Sequence, residues 1–426
     1  MSLKLNTSFL VDIKEEQVIN QYRERIGKII EGVKNKSLAG AEMLGWMTWV
    51  DKDHSGLIKD IVVLREKWLS KGVEVVVIVG TGGSYIGCRA ALNFCNSAFE
   101  KSNFEFIYLP SFSERYLGEL LDYLKNKKFS VVVISKSGTT LESSVSFRVL
   151  RDLLAEKEGE AYADYIVAVT DKSKGILREL VNKRSIVSFV IEDDIGGRYS
   201  TLTAVGLVPM VLAGVDAEKV LAGAKKSKEE NFKEGSSAAT YASIRHYLFD
   251  EKGLVSECIA SYDPQLSFTL EKMKQLFAES EGKDNKGLMP VLFNFTPDLH
   301  SVGQLLQDGF KSFFETIVLV NKPKYEISLN KSKFDNDDNL DWLAGRTLKE
   351  INNCAFSGTI DAHSKVGKIN NLVIELDSWA PEVFGYFYFW LSLVAMFSAY
   401  LFEVNPFDQP GVETYKKRMF GLLGKP

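Results

Sequence analysis

The sequence predicts an α/β protein of two doubly wound units, each a parallel sheet covered by helices on both faces. Three observations carry that expectation. Runs of Val and Ile recur without polar alternation, as strands buried on both faces require. Stretches of helix length separate them, which is how parallel strands are joined. The chain has 426 residues, more than one ordinary core holds at about 100–200 residues per domain.

Along the chain, residues 10–67 read as helices of mixed charge, an arm ahead of the first sheet. Strands are then expected at 73–80, 104–110, 129–135, 165–171 and 185–192, and a second series at 254–262, 288–296, 315–321 and 371–377. Residues 322–369 are rich in Asn, Asp and Lys and read as loops and short helices. The resulting division is a helical N-terminal arm (1–55), a first αβα domain (56–205), a second (206–404) and a C-terminal helix that completes the active site (405–426). Neither a repeat nor a low-complexity linker interrupts the chain, so the units are expected to pack closely.

Residues 383–402 carry no charge for 20 residues, close to the roughly 20 that cross a bilayer. Glu382 and Glu403 flank them without an adjacent Lys or Arg, and no second such segment exists, so a buried core helix is expected rather than a membrane span. The start of the chain lacks a cationic, then apolar, secretory pattern, and export is not expected. A net charge of −4 argues against general nucleic-acid binding. The four cysteines, Cys88, Cys95, Cys258 and Cys354, are spread without CxxC spacing, as in a reduced cytosolic protein. His54, His246, His300 and His363 show no metal-ligand pairing, and no metal cofactor is expected.

Ligands of open α/β sheets bind beyond the carboxyl ends of the strands, so the turns there are where chemistry is expected. The first is Gly80-Thr81-Gly82-Gly83-Ser84-Tyr85-Ile86-Gly87, which lets backbone approach a ligand and opens a helix. It fails the dinucleotide GxGxxG pattern, because the last required glycine falls on Tyr85. Ser135-Lys136-Ser137-Gly138-Thr139-Thr140-Leu141-Glu142 gathers hydroxyls and amides at a helix start, which suits a phosphate monoester; the plainer reading is a capping box of Thr139 with Glu142. Gly196-Gly197-Arg198 places a permanent cation on a loop, suited to a developing oxyanion or to a salt bridge.

Glu279-Ser280-Glu281-Gly282-Lys283-Asp284 reads as a charged knot after a helix at 268–278, where a partly desolvated carboxylate could act as a base. His300 directly follows a strand end, and Lys416 lies in a C-terminal helix behind the turn-rich Asn405-Pro406-Phe407-Asp408-Gln409-Pro410. Each alone also fits a structural or surface role.

Together GTGGSYIG, SKSGTT, IGGRYSTLTAVGLVP, ESEGKD, DLHSVGQ and NPFDQPGVETYK, in that order, resemble the glucose-6-phosphate isomerase family, particularly its shorter bacterial branch. The resemblance implies two sugar-isomerase (SIS, flavodoxin-like) units and a cytoplasmic homodimer with no metal or organic cofactor. It also implies reversible conversion of glucose 6-phosphate to fructose 6-phosphate through a cis-enediolate, in glycolysis and gluconeogenesis. Carried onto this chain, it assigns the phosphate loop to Ser135, Lys136, Ser137 and Thr140, closed by Gly83 and Ser84, with Gly197 also at the substrate. Glu279 matches the proton-shuttling glutamate, because the pattern is Glu-Ser-x-Gly-Lys, and Glu281 is the weaker choice. His300 and Lys416 match the residues that open the sugar ring, with His300 of the partner subunit commonly serving each site. Arg198 matches the arginine that stabilises the enediolate, Gln409 a substrate contact and Glu142 the carboxylate that orients the histidine. Two alternatives remain: a dual isomerase also acting on mannose 6-phosphate, and a non-catalytic sugar-phosphate sensor, which would need neither Glu279 nor Lys416.

Overall fold

In the computed structural model, which describes residues 2–99 and 102–424, the strands run in chain order as β1 (Leu3–Asn6), β2 (Val75–Val79), β3 (Glu105–Leu109), β4 (Phe129–Ile134), β5 (Ile166–Thr170), β6 (Val187–Val190), β7 (Ser256–Ser261), β8 (Met289–Asn294), β9 (Phe313–Val320) and β10 (Asn371–Leu376). They form two sheets of order β3-β2-β4-β5-β6 and β1-β10-β9-β7-β8. Every strand read from the Val and Ile runs is present, with ends displaced by no more than a residue or two.

The buried apolar runs explain why. β2, β4 and β5 are buried at every position, so they can only be inner strands with helices on both faces. In each sheet the chain steps from an inner strand to the edge beside it and then returns past that inner strand. β2 pairs in parallel with both β3 and β4, and β7 pairs in parallel with both β8 and β9. Each sheet therefore has a topological switch point beyond its carboxyl edge, between β2 and β4 in the first and between β7 and β9 in the second.

Three expectations are corrected. The N-terminal arm is not wholly helical, because β1 pairs antiparallel with β10 and makes the second sheet mixed rather than parallel. Its sequence, LKLN, buries Leu3 at the sheet edge. The polar 322–369 region contains a 14-residue helix, Leu348–Asp361, with a complete Thr347–Glu350 capping box. The helix expected to stop at 278 runs on as Ser267–Glu281, so Glu279 lies in its last turn and not in a loop.

The apolar segment near the C-terminus is the helix Pro381–Leu401, and 94% of its most apolar stretch is buried inside the protein. It packs on the helices Ala217–Asn231, Ser237–Asp250 and Ser267–Glu281. An all-round apolar helix is thus satisfied by protein on every side.

Candidate active site

The switch point of the first sheet is built by two turns. After β2 the chain passes through Gly82, at φ +58°, into the helix Gly83–Cys95. A Cβ on Gly83 would lie 2.1 Å from the carbonyl oxygen of Gly197, so only glycine lets this helix start touch the 197–198 backbone. A Cβ on Gly197 would meet nothing within 4 Å, which leaves that residue facing open space. Ser84 is half-buried in the same first turn.

The second turn follows β4. Ser135 Oγ accepts from the Gly138 amide at 3.1 Å, and Ser137 Oγ accepts from the Thr139 amide at 3.2 Å. The expected Thr139–Glu142 capping box does not form: the N-cap of the helix Leu141–Glu158 is Thr140, and no side chain caps it. Gly138, at φ +72°, turns the loop one residue later than the sequence pattern implied. The first-turn amides of an 18-residue helix therefore point outward beside three hydroxyl residues, with the dipole's positive end behind them. Lys136 is held away from that opening, its ammonium 3.1 Å from the Asp193 carboxylate and bonded to the Glu192 and Asp193 carbonyls.

The facing wall comes from the helix Ser267–Glu281. Lys272, Gln275 and Glu279 follow an i, i+3, i+7 spacing and so line one face. A Cβ on Gly82 would lie 3.2 Å from Gln275 Nε2, which sets that face against the glycine turn. Gln275 Nε2 donates to Glu279 Oε2 at 3.2 Å, and Arg198 Nη1 lies 3.1 Å from Glu279 Oε1. The Glu279 side chain keeps 32% exposure while Arg198 keeps 1%, so a buried cation stands behind a carboxylate that still reaches the opening.

Arg198 is fully engaged within the chain. Its Nε donates to Ser280 Oγ and its Nη1 to Gln409 Oε1, both at 3.0 Å, and its Nη2 donates to the Pro406 and Asp408 carbonyls. Lys283 joins the same anchorage by donating to the Asn405 carbonyl and lying 3.4 Å from the Asp408 carboxylate; burial, helped by Arg198, pulls its pKa down. The 405–409 segment, Gln409 included, is thereby fixed beside Glu279.

Glu281, two residues on, has a different role. It is fully buried and clamped by Arg245, which also holds Glu257 of β7, and burial pushes its pKa up against the pull of Arg245. A buried carboxylate locked in this way cannot reach a ligand.

Some predicted residues are not brought together. His300 is exposed in the first turn of the helix Leu299–Asp308, at the carboxyl edge of the second sheet, and makes no hydrogen bond or ion pair with Glu279, Arg198 or Gln409. Lys416, in the helix Gly411–Leu422, pairs with Glu413 at 2.9 Å. Glu142 is half-buried at the start of its helix and does not contact His300. Conversely, sequence reasoning missed Lys272 and Gln275, whose signal was a polar stripe at helical spacing leading to Glu279.

An anion cradle, a partly exposed carboxylate and a buried guanidinium behind it suit proton removal beside a carbonyl of a small phosphorylated molecule. Comparison with known proteins agrees with that chemistry. A glucose-6-phosphate isomerase of Mycoplasmopsis synoviae is 43% identical over 99% of this chain and 100% of its own length. One from Staphylococcus aureus is 42% identical over 100% of this chain and 96% of its own. Among solved structures, a hypothetical protein from Thermus thermophilus superposes with a TM-score of 0.89 at 27% identity, covering 99% of both chains. A glucose-6-phosphate isomerase from Chlamydia trachomatis shares the fold, with a TM-score of 0.81 at 18% identity over 100% of this chain and 89% of its own. The family model described as phosphoglucose isomerase matches residues 66–420, and the chain belongs to that family.

Proposed function

We propose that the chain interconverts glucose 6-phosphate and fructose 6-phosphate, with Glu279 carrying the proton between C2 and C1 through a cis-enediolate. The observation that carries this reading is the position of Glu279. It is the one carboxylate of the ESEGKD segment that combines partial exposure with two positioned donors, Arg198 and Gln275. Substrate phosphate sits on Ser135, Ser137, Thr140 and the first-turn amides, with Gly83, Ser84 and Gly197 shaping the adjoining wall.

Arg198 acts as a buried positive charge that favours the enediolate over the neutral sugar. Because Arg198 already donates four hydrogen bonds and Nη1 also lies 3.1 Å from Glu279, an enediolate oxygen would share Nη1 with Glu279 and Gln409. Once Glu279 has taken the proton it is neutral, which loosens its hold on Nη1 as negative charge grows on the sugar. The carboxylate and the enediolate thus alternate as partners of one cation.

Ring opening is assigned to Lys416 and to His300 of the partner subunit. Support for a homodimer is the setting of His300. It is exposed, and Met289 on the preceding strand, Leu305 on its own helix and Phe310 just beyond are exposed apolar residues, as a subunit contact requires. Glu142 then orients that histidine only in the assembled dimer. All four cysteines are free, in keeping with a cytoplasmic setting.

The test is a coupled assay of fructose 6-phosphate conversion in the presence of a chelator. Steady turnover is expected, and no conversion by a folded dimer would overturn the proposal. Loss of turnover on chelation would overturn its metal-free chemistry.

A further inference from the structure

Lys272 is buried to 1% exposure in the middle of the Ser267–Glu281 helix, a position where methionine would fill the same space without desolvating a charge. Among the described residues its hydrogen bonds go only to Arg198 and Gln275, the two residues beside Glu279. Nζ donates to the backbone carbonyl of Arg198 at 2.7 Å and to Gln275 Oε1 at 2.9 Å. Tyr388 shares the Arg198 carbonyl at 3.1 Å, and its ring lies 5.6 Å from Nζ.

An amide has one accepting and one donating end. In its charged form the Lys272 ammonium can only donate, so it fixes Oε1 of Gln275 toward itself and leaves Nε2 to donate to Glu279. We propose that Lys272 is a positioning residue for the isomerase reaction, setting the amide orientation of Gln275 and the backbone of Arg198 so that both donors converge on Glu279. The proposal rests on the reading of Glu279 as the base.

The charged and titratable groups that face Lys272 are Glu279 on its own helix, Arg198 on the neighbouring turn, Cys88 on the Gly83–Cys95 helix and Tyr388 on the Pro381–Leu401 helix. Burial raises both Cys88 and Tyr388 to about 12, so they stay neutral. Burial lowers Lys272 to about 7, with Glu279 opposing and Arg198 assisting that fall. Besides Arg198, Glu279 therefore has in Lys272 a positive neighbour that is charged in acid and lost in mild alkali.

Two measurements test this. Lys272→Met should lower kcat by roughly tenfold to a hundredfold while leaving KM within about threefold, because substrate contacts stay intact and the base is misplaced. The acid limb of its kcat/KM profile should move up by about half a unit to one unit, since removing a positive neighbour raises the pKa of a carboxylic acid. Unchanged kcat, or a fall in kcat with an unmoved acid limb, would overturn the proposal, the second result marking a purely structural lysine.

Should Lys272→Met not fold, the readout becomes the 13Cε shift of the Lys272 side chain, titrated in the native protein and in Glu279→Gln. The lysine pKa should fall when the carboxylate is neutralised, and an identical titration in both proteins would refute the coupling. Turnover of Glu279→Gln itself reports separately on the base: if that variant stays active, the base assignment fails whether or not Lys272 senses the change.

Discussion

At their carboxyl edges the two sheets look alike, each with an inner strand flanked by the next two parallel strands in the sequence, yet they treat their switch points differently. Between β2 and β4 the turns are glycines and hydroxyl residues, and the helix that follows begins without a side-chain cap. Between β7 and β9 the polar groups are occupied. Asp263 accepts from the Gln265 amide at 2.9 Å, Lys349 donates to the Val320 carbonyl at 2.7 Å, and Asn352 donates to the Tyr262 carbonyl at 3.2 Å. The same topology makes two crevices with different linings: a cavity of about 460 Å³ remains at the second, walled by Asp263, Lys349 and Asn352. The second sheet contributes to the first crevice through the far end of a helix, where Glu279 faces the site and Glu281 faces the core.

Mutations can sharpen that contrast. The largest expected effect is that of Glu279→Gln, a fall in kcat of about 10³-fold with little change in KM, read in a coupled assay. Retained turnover there, with loss in Glu281→Gln, would exchange the roles of the two carboxylates. For Glu281→Gln the expected loss is in stability instead, about 3 kcal/mol in urea unfolding, because Arg245 loses one of its two buried carboxylate partners.

A smaller change is expected at the anion cradle: Ser137→Ala combined with Thr140→Val should raise KM about tenfold. Asp263→Asn, which keeps the cap at the other switch point, should leave KM within about twofold, and a large change there would break the asymmetry between the sheets.

A further effect, on stability rather than on turnover, is one of pH. Lys272 falls from its ordinary 10.5 to about 7 in the folded chain, so between those values the unfolded chain binds the extra proton. Its burial thus lowers stability fully below pH 7, and the deficit disappears as pH rises toward 10.5. Compared with Lys272→Met, the native protein should gain up to roughly 2 kcal/mol in urea unfolding between about pH 7 and pH 9.

The sheets were legible because Val75–Val79 and its neighbours carry their burial in their composition. β1 was not, since four residues of mixed polarity at a sheet edge carry no periodic signal and their partner lies across the length of the chain. At the 135–140 loop the residue types point to an anion, but the capping-box pattern sets the cap one residue early, because the turn made by Gly138 depends on φ, which composition does not encode. Lys272 and Gln275 were hidden for another reason. A lysine amid Leu270, Met273 and Leu276 reads as the solvated face of a helix, and only tertiary packing turns that face inward. The resemblance names Arg198 but cannot reveal that both Nη2 donors are already taken, because the carbonyl acceptors lie 208 and 210 residues away along the chain.

Antiparallel pairing of Leu3–Asn6 with β10 also constrains how the protein is made. Lys4 meets Glu375 across a separation of 371 residues, so during synthesis this segment waits, edge unsatisfied, until β10 has left the ribosome. The first sheet draws on one contiguous stretch and is free to form early, whereas the second closes only when its distant ends meet. A slow, late step in assembly, sensitive to substitutions in Leu3–Asn6, is the expected signature of that seam.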